Sequence, residues 1–515
     1  MKKNLVSLMS LTLLVGLVSL TSCKKENTLG DGTQFRATVE DCTSQNGKTA
    51  LDGFNLNWVA GDQIAIYGTA GAGIYSATPQ TPATVAIFDN VSGETGDGPF
   101  RAFYPSTLTT DGVNITLPTT QTYVEGSINE FPMYAESNDN QLSFKNLCGV
   151  LKLHLTKANT NISSITVTAA SEINGTFSVS YNSGDPELIY SANGTTTTTL
   201  TCATAQSIAE GKDFYIYLPE GSYSGLQIEM NTDDSRYCVK TANTAINVTR
   251  SQYTLITLGS TLQFRPVGSK GGLFTINADG DQVWFSQGNL QYQASTGTWR
   301  FAENQYDYVG EDNENISTTY SGWIDLFGWG TGNNPTLTSL FNSDYSTFVD
   351  WGSNAISNGG NTANNGWRTL TSAEWDYLMN TRANTTNLGT ANARWARVFV
   401  GNTYGMILFP DGYTHPDGVT VPAGINSMRF ILLPPQYSLT QWAEMQAAGA
   451  VFLPAAGRRL PGNNSLFGGY GFYWSSTPNN EDFSHYMIFH ETSVSATSRD
   501  YRLCGCAVRL VRDND

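Results

Sequence analysis

The 515-residue sequence is short of charged residues and of histidine, and both shortages exclude functions. Charged residues make up 14% of the chain and give a formal net charge of −16, so no basic surface is available for nucleic acid. The four histidines, His154, His415, His485 and His490, form no three-ligand constellation for a transition metal. We therefore predict no bound metal, no cofactor and no nucleic-acid partner.

Cysteine is also scarce. Six cysteines lie beyond the N-terminal segment: Cys42, Cys148, Cys202, Cys238, Cys504 and Cys506. Their spacing matches no zinc motif. Disulfides are compatible with an exported protein, but the sequence leaves their pairing open. Cys504 and Cys506 would point the same way from one strand, which is poor geometry for a bridge between them.

Long hydrophobic runs are absent except at the N-terminus, which has the features of an export signal. Lys2 and Lys3 precede an apolar stretch over residues 5–20, and small residues then lead to Cys23. The stretch is short for a membrane-spanning helix, so it indicates a cleaved signal. We predict a signal peptide over residues 1–22.

The residues around Cys23 resemble a bacterial lipobox, with Leu-Thr-Ser at positions 20–22. The resemblance implies that Cys23 becomes a lipidated N-terminus, followed by a polar tether over residues 23–34. Lys24 stands where an inner-membrane retention signal would place Asp, which favours the outer membrane. The alternative is an ordinary signal peptide with an incidental cysteine.

Residues 35–262 show short runs of alternating apolar and polar residues between turn residues, which is typical of β-sandwiches. The clearest runs are residues 63–67, 114–117, 149–155 and 214–218. No segment of this half has the pattern of a long helix. We predict two β-sandwiches, over residues 35–147 and 148–262, with His154 on a strand surface.

Several segments of this half resemble the fimbrillin family of lipoprotein pilus subunits and surface anchors. They lie at residues 35–39, 48–49, 56–64, 98–105 and 142–151, and one of them reads Trp-x-x-Gly-Asp-x-Ile from Trp58. The resemblance implies two transthyretin-like β-sandwich domains, with pilus subunits as partners. Some relatives are cleaved after an arginine, which frees a groove for a donor strand. Arg36 is either that arginine or an ordinary strand residue.

A join with Pro and Gly over residues 264–272 predicts a domain boundary. Beyond it, residues 303–366 are rich in Gly, Asn, Ser and Thr and indicate long loops. Two helices are predicted from capping boxes over residues 371–374 and 438–441. Gly449 suits the end of the second helix.

Residues 273–515 resemble the C-type lectin fold, an α+β domain. The segments that carry this resemblance are residues 366–375, 451–459, 473–477 and 507–511. They are similar to the formylglycine-generating-enzyme branch of that fold, to its bacterial surface relatives, and to the variable proteins of diversity-generating retroelements. The last resemblance implies a ligand-binding domain whose final segment is rewritten at adenine-containing codons.

The segment over residues 479–506 is the predicted variable, ligand-binding segment. Regular strand patterns frame side chains with no evident folding purpose: Phe483, Ser484, His485, Ile488, His490, Arg499, Asp500, Tyr501, Leu503, Cys504 and Cys506. Asn codons ending in C or T can yield all these residue types when their adenines are randomised, but never Lys, Glu, Gln, Met or Trp. The alternative is an ordinary lectin-like tail that fits this set by chance.

Strand alternation predicts which of these side chains are exposed. If Met487 and Phe489 pack inward, then Tyr486, Ile488 and His490 form an outer face that is free to vary. Exposed aromatic side chains on that face would suit protein recognition or stacking against sugar rings.

The same alternation creates a conflict at the two C-terminal cysteines. It groups Cys504 and Cys506 with Val508 and Leu510, which have the character of core residues. Exposure of both cysteines then requires a bulge at Gly505, and the sequence leaves the two arrangements open.

Other chemistries find less support in this domain. Neither Glu-Pro-Asn nor Gln-Pro-Asp followed by Trp-Asn-Asp occurs, so calcium-dependent sugar binding would depend on loop carboxylates such as Asp307, Glu311 and Asp312. The formylglycine-generating chemistry resembles a copper-dependent oxidation at a cysteine pair, whose spacing the two C-terminal cysteines do not match. Glu374 and Asp376 would not face each other on a helix, so we predict no enzyme.

We therefore predict an outer-membrane surface lipoprotein that acts as an adhesin or receptor. Its ligand is a protein or glycan on another cell, phage or host surface. The alternatives are a structural pilus tip or anchor with a fixed lectin-like cap, and an enzyme of the formylglycine-generating fold. We expect Trp474 to be buried, and Ala at His490, Tyr501 and Leu503 to remove binding while leaving the melting temperature nearly unchanged.

Overall fold

The computed structural model describes residues 34–44, 56–79, 81–182, 184–259, 261–429, 434–460 and 466–514. The predicted signal peptide, Cys23 and the tether up to residue 33 lie outside these residues, as do residues 48–49 of the fimbrillin resemblance. Among the described residues, none of the helices has the length and apolar character needed to cross a bilayer.

The described part of the N-terminal half is built from β-strands, as predicted. A 3₁₀ turn at Ser106–Leu108 interrupts them. The strands are β1 Gln34–Thr38, β2 Thr43–Ser44, β3 Gln63–Tyr67, β4 Ala72–Ala77, β5 Val85–Gly93, β6 Phe100–Tyr104, β7 Asn114–Leu117, β8 Thr120–Val124, β9 Ser127–Ile128, β10 Met133–Ser137, β11 Gln141–Ser143, β12 Lys145–Asn146, β13 Gly149–Leu155, β14 Asn161–Thr168, β15 Gly175–Asn182, β16 Asp185–Ala192, β17 Thr197–Ser207, β18 Lys212–Leu218, β19 Gly221–Tyr223, β20 Gln227–Thr232, β21 Arg236–Thr241, β22 Ile246–Val248, β23 Gln252–Leu258 and β24 Arg265–Pro266.

The C-terminal half mixes strands with two α-helices, α1 Ser372–Asp376 and α2 Leu439–Ala447, and a π-helix, Tyr377–Thr381, that continues α1. Its 3₁₀ turns are Gly310–Asn315, Asn342–Tyr345 and Trp351–Ser353. Its strands are β25 Ser269–Thr275, β26 Gln282–Ser286, β27 Leu290–Gln293, β28 Thr298–Phe301, β29 Trp323–Ile324, β30 Leu326–Phe327, β31 Trp367–Arg368, β32 Trp395–Val400, β33 Thr403–Leu408, β34 Gln436–Tyr437, β35 Val451–Pro454, β36 Arg458–Arg459, β37 Tyr470–Pro478, β38 Phe483–His490, β39 Ser493–Tyr501, β40 Gly505–Ala507 and β41 Val511–Asp513.

The first sheet has the strand order β11-β1-β5-β4-β3-β6-β10-β12. Trp58 lies buried in the core beneath it, with its ring 4.9 Å from that of Phe88 and 5.3 Å from that of Phe144, both edge-on. Asp62 closes the adjacent turn, because its Oδ2 accepts a hydrogen bond from Val59 N at 2.8 Å. The Trp-x-x-Gly-Asp-x-Ile segment therefore combines a core aromatic with a turn-closing carboxylate.

Two strands of the predicted first sandwich pair with strands that follow residue 160. Strand β7 pairs antiparallel with β15, and β8 pairs parallel with β17. The second sheet has the order β24-β21-β20-β14-β17-β8-β9, over a core that includes Ile165, Leu200 and Met230. His154 lies at the surface of β13, where its Nδ1 is 2.7 Å from Asp213 Oδ1.

Both predicted capping boxes are present. At α1, the Thr371 side chain accepts a hydrogen bond from Glu374 N, and the Glu374 side chain accepts one from Thr371 N. Ser438 and Gln441 form the same pair of hydrogen bonds at α2. These reciprocal bonds satisfy donors that a helix start leaves unpaired. Gly449, with φ of 102°, follows α2 as expected.

The segment over residues 303–366 has few regular elements in its described part, as predicted for long loops. A buried polar link fixes it to the core: Asp325 accepts hydrogen bonds from Val309 N at 3.0 Å and Asn313 Nδ2 at 2.8 Å. Asn313 Oδ1 in turn accepts from Asp325 N and Leu326 N. The described chain as a whole is predominantly β, while the transthyretin-like and lectin-like assignments stay predictions.

Candidate ligand-binding face

The predicted variable segment forms a hairpin in a sheet with the order β30-β40-β37-β38-β39. The turn that leads into this hairpin, between β37 and β38, is closed by Asn480, whose Oδ1 accepts hydrogen bonds from Asp482 N and Phe483 N, both at 2.9 Å. The supporting strand β37 is buried over most of its length. Trp474 is fully buried there, as expected, and its Nε1 donates to Phe327 O at 2.7 Å.

Four of the predicted ligand-binding residues lie together on one open end of this hairpin. Register pairs Phe483 with Tyr501 and His485 with Arg499, so all four share one face. The Phe483 and Tyr501 rings lie 4.3 Å apart, and the Arg499 guanidinium lies 6.0 Å from the Phe483 ring. Tyr501 is 48% exposed. We call these four residues the open face.

The other end of the same hairpin face is covered. Met487 and Phe489 are fully buried, which confirms that they pack inward. They belong to one core with Val494, Ala496 and Trp375 of helix α1. Helix α1 thus covers the end of the hairpin that holds Met487 and Phe489, and it leaves the four residues of the open face uncovered.

The opposite face of β38 is less exposed than predicted. Tyr486 is buried there, 5.6 Å from the Phe472 ring and 6.0 Å from the Trp474 ring. Ile488 and His490 are half-buried. The prediction of an outer face that is free to vary is therefore wrong at Tyr486, because aromatic side chains of β37 cover it.

His490 lies at the edge of this covered face. Its ring is 4.9 Å from the Tyr470 ring. Burial lowers the pKa of His490, and the nearby Arg397 guanidinium lowers that pKa further. The imidazole is therefore less readily charged than an ordinary histidine, and it offers a ligand a neutral side chain.

Three predicted site residues are buried and cannot contact a ligand at the surface. Ser484, Cys504 and Cys506 are each at most 1% exposed. Both cysteines share a core with Val508 and Leu510, as strict alternation requires, so the bulge that would expose them is absent at Gly505. Burial raises the pKa of the Cys504 thiol to about 12. The assignment of these three residues to the binding face is wrong.

The remaining two predicted residues are half-buried. Asp500 forms an ion pair with Arg458, whose guanidinium also lies 4.9 Å from the Phe472 ring. Leu503 N donates to Asn342 Oδ1 at 3.3 Å. The Asp500 carboxylate is therefore paired with Arg458 of strand β36. Leu503 borders a neighbouring loop that contains Asn342.

Sequence reasoning predicted a loop there but missed that its residues 337–346 lie beside the candidate face. Leu340 and Phe341 are strongly exposed in it, and a cleft of about 670 Å³ separates it from the β37–β38 turn. The cleft is lined by Ser343, Ser346, Pro478, Asn479, Asn480, Glu481, Asp482 and Arg502. The signal that could have pointed to a contact surface in this loop is the Leu-Phe pair within a stretch of Ser, Thr, Asn and Asp.

The far end of the hairpin is fixed by one buried arginine. Arg397 Nη1 donates to His490 O at 2.6 Å and to Glu491 O at 2.7 Å. Its Nη2 donates to Ser427 O at 2.9 Å and also to Arg429 O. The guanidinium thus ties the β38–β39 turn to a separate loop through backbone carbonyls.

The candidate acid–base residues have structural partners. Arg368 donates to both oxygens of Glu374, at 3.0 and 2.9 Å, and Glu374 also caps helix α1. Within the described segments, no group of three or more His, Cys, Asp or Glu side chains is placed to hold a metal ion. The described cysteines all carry free thiols.

The comparisons with known proteins give weak likenesses to surface proteins. No family model matches the chain, and no curated protein matches it. A candidate cell adhesion protein of Bacteroides ovatus has 12% identity to this chain and a TM-score of 0.30. The match covers 45% of this chain, in the N-terminal half of this chain, and 94% of the Bacteroides ovatus chain. The tip fimbrial protein of Porphyromonas gingivalis has 10% identity and a TM-score of 0.22, covering 45% and 98%.

A fimbrial protein of Bacteroides ovatus covers 93% of this chain and 99% of its own, at 11% identity and a TM-score of 0.22. These structural neighbours are therefore adhesion and fimbrial proteins of low identity. Every one of these TM-scores lies below 0.5.

Proposed function

We propose that this protein is a lipid-anchored surface adhesin or receptor whose C-terminal domain binds a ligand through the open face. The observation that carries the proposal is the grouping of Phe483, His485, Arg499 and Tyr501 on one uncovered end of a hairpin. Two aromatic rings, an imidazole and a guanidinium give a large contact area with adaptable hydrogen bonding, which suits recognition of a protein or glycan.

The proposal includes sequence diversification of that face. The four open residues belong to the types that randomised Asn codons ending in C or T can produce. The frame beneath them is buried and packed, as at Trp474 and Phe489, so it supports side-chain exchange above without a change of fold. The buried Ser484, Cys504 and Cys506 form no part of the proposed contact surface.

We assign binding rather than catalysis to this domain. The Glu374 carboxylate is held by Arg368 and by its helix cap. The buried thiols at Cys504 and Cys506 have pKa values raised by burial, which disfavours the reactive thiolate. Binding needs a complementary surface and no activated group. The N-terminal β-sheets would act as a pilin-like stalk, with the outer-membrane lipid anchor at Cys23.

Deep sequencing of the 3′ end of the gene, across many cells of one strain, tests the proposal. We expect substitutions concentrated at the codons of Phe483, His485, Arg499 and Tyr501, with the codons of Trp474 and Phe489 unchanged. An invariant 3′ end at adequate depth, with no template repeat nearby, would remove the diversification. The protein would then be a fixed adhesin or a structural pilus component.

A further inference from the structure

The loop beside the open face exposes two adjacent apolar side chains. Leu340 and Phe341 are 68% and 70% exposed, more than any other large apolar residue in the described part of the chain. A neighbouring pair of such residues on a surface marks a contact site more often than a lone one does. Their position outside residues 479–506 means that diversification would leave them unchanged.

Internal hydrogen bonds hold this loop in shape. Ser339 Oγ accepts from Phe341 N at 3.1 Å, and it also donates to Asp344. The buried Tyr345 donates its hydroxyl to Leu337 O at 3.3 Å and to Ser339 O at 3.2 Å. The two apolar side chains are thus presented by an ordered loop, so that docking on them loses little conformational entropy.

The loop is continuous with the candidate face. Asn342 accepts from Leu503 N at 3.3 Å and donates to Asp482 Oδ1 at 3.4 Å. The cleft of about 670 Å³ lies between the loop and the β37–β38 turn. A ligand seated on the open face can therefore extend across the cleft to Leu340 and Phe341.

The accessible charge of this cleft is negative. Its arginine, Arg502, is buried: it donates to Tyr345 O, Ser346 O and Asn480 O and stacks over Trp329 at 4.5 Å. Its charge is therefore directed at backbone carbonyls. Glu481 and Asp482, by contrast, are exposed on the cleft.

We propose that Leu340, Phe341, Glu481 and Asp482 form a docking patch for a protein segment that carries an apolar side chain beside a lysine or arginine. The inference rests on the proposed function, because it extends the same ligand-binding surface, with Leu340 and Phe341 as the part outside the variable segment. The Leu340 side chain offers nothing to a sugar hydroxyl. A second copy of this chain, with its net charge of −16, would meet like charge at the patch.

Selection from a phage-displayed random dodecapeptide library on the full-length protein tests the docking patch. We expect enrichment of peptides with Lys or Arg next to Leu, Phe or Trp. Leu340→Ser/Phe341→Ser should weaken binding of a synthesised selected peptide by at least about tenfold. Glu481→Gln/Asp482→Asn should weaken the same binding and flatten its salt dependence.

Two control variants separate the patch from other effects. Leu255→Ser removes a side chain of similar exposure, 54%, on a strand of the N-terminal half, and should change nothing. Phe483→Ser/Tyr501→Ser alters the open face alone. Unchanged melting temperatures for all four variants show that each variant is folded.

The outcomes distinguish this inference from the proposed function. In one outcome, the selected peptides bind the Leu340→Ser/Phe341→Ser variant as tightly as the wild type and fail to bind the Phe483→Ser/Tyr501→Ser variant. That result would overturn the docking patch and support ligand binding at the open face. Selected peptides without basic residues, no enrichment at all, or self-association lost in the Leu340→Ser/Phe341→Ser variant would also overturn it. An invariant 3′ end of the gene would leave a positive peptide result standing.

Discussion

Tyr501 and Trp474 are aromatic residues of the same sheet with opposite environments. Tyr501 is half exposed on the open face, whereas Trp474 is buried and bonded to Phe327 O. We expect Trp474→Ala to lower the free energy of unfolding by about 3–5 kcal/mol, and Tyr501→Ala to change it by less than about 0.5 kcal/mol. Urea denaturation measures both, and equal losses would show that Tyr501 belongs to the core.

The ion pair between Asp500 and Arg458 limits variation at one predicted variable position. Removing the carboxylate leaves a partly buried guanidinium without its partner, which costs about 1–3 kcal/mol. We expect Asp500→Ala to be destabilising by that amount, and Arg458→Met/Asp500→Leu to recover most of it. A double-mutant cycle checks the coupling, and strictly additive effects would contradict it.

At the scale of elements, Arg397 is the residue that fixes the far end of the hairpin. Its guanidinium bonds to backbone carbonyls of residues 490, 491, 427 and 429. Arg397→Met would leave these partly buried acceptors without their donor, so we expect the free energy of unfolding to fall by about 3 kcal/mol and amide exchange over residues 488–494 to become faster. Hydrogen exchange with mass spectrometry tests this, and Arg397→Lys should restore it only in part.

Asp325 makes the anchoring of the 3₁₀ turn Gly310–Asn315 sensitive to pH. Burial raises its pKa from 3.8 to about 6. The native state then keeps a proton that the unfolded chain releases, so this group lowers stability as pH rises from about 4 to 6 and adds nothing further above that. The free energy of unfolding of Asp325→Asn, relative to that of the wild type, should rise by about 3 kcal/mol between pH 4 and pH 7. Denaturant melts across pH measure the difference, and parallel curves would contradict it.

Local signals explain which elements the sequence predicts well. Capping boxes depend on residues within one helical turn, and strand alternation places Met487 and Phe489 on one face; both predictions are confirmed. The burial of Tyr486 depends on aromatic side chains of β37. Asp500 finds its partner in Arg458, 42 residues away. The surroundings of the candidate site are therefore set in part by contacts that alternation within one strand cannot reveal.

The same limit applies to the N-terminal half, where the strands are predictable and their partners are not. The alternating run over residues 114–117 predicts a strand, and β7 forms there. Its pairing with β15 joins it to residues beyond the predicted boundary at residue 147. Sheet membership depends on packing across the whole chain, so the alternating pattern of one strand does not reveal its partners.

At the scale of the whole molecule, Arg512 connects the last strand to the N-terminal half. Its Nη2 donates to Asp234 O at 2.7 Å, and its Nη1 lies 3.5 Å from Ser235 O. We expect Arg512→Ala to separate one broad unfolding transition into two, because each half would then unfold with less influence on the other. Differential scanning calorimetry measures this, with the exposed Arg499→Ala as control. A single unchanged transition would show that the contact couples nothing.

Strand β41 lies between β26 and β31, inside its sheet rather than at an edge. It follows the proposed variable segment directly. A premature stop or frameshift within residues 479–506 would therefore delete an internal strand and leave an unfolded product for proteases. Codons ending in C or T never encode a stop, so adenine randomisation at such codons keeps the reading frame open. Under the proposed function, the fold would therefore select for an intact reading frame, because only a chain translated through β41 could fold and present a binding face.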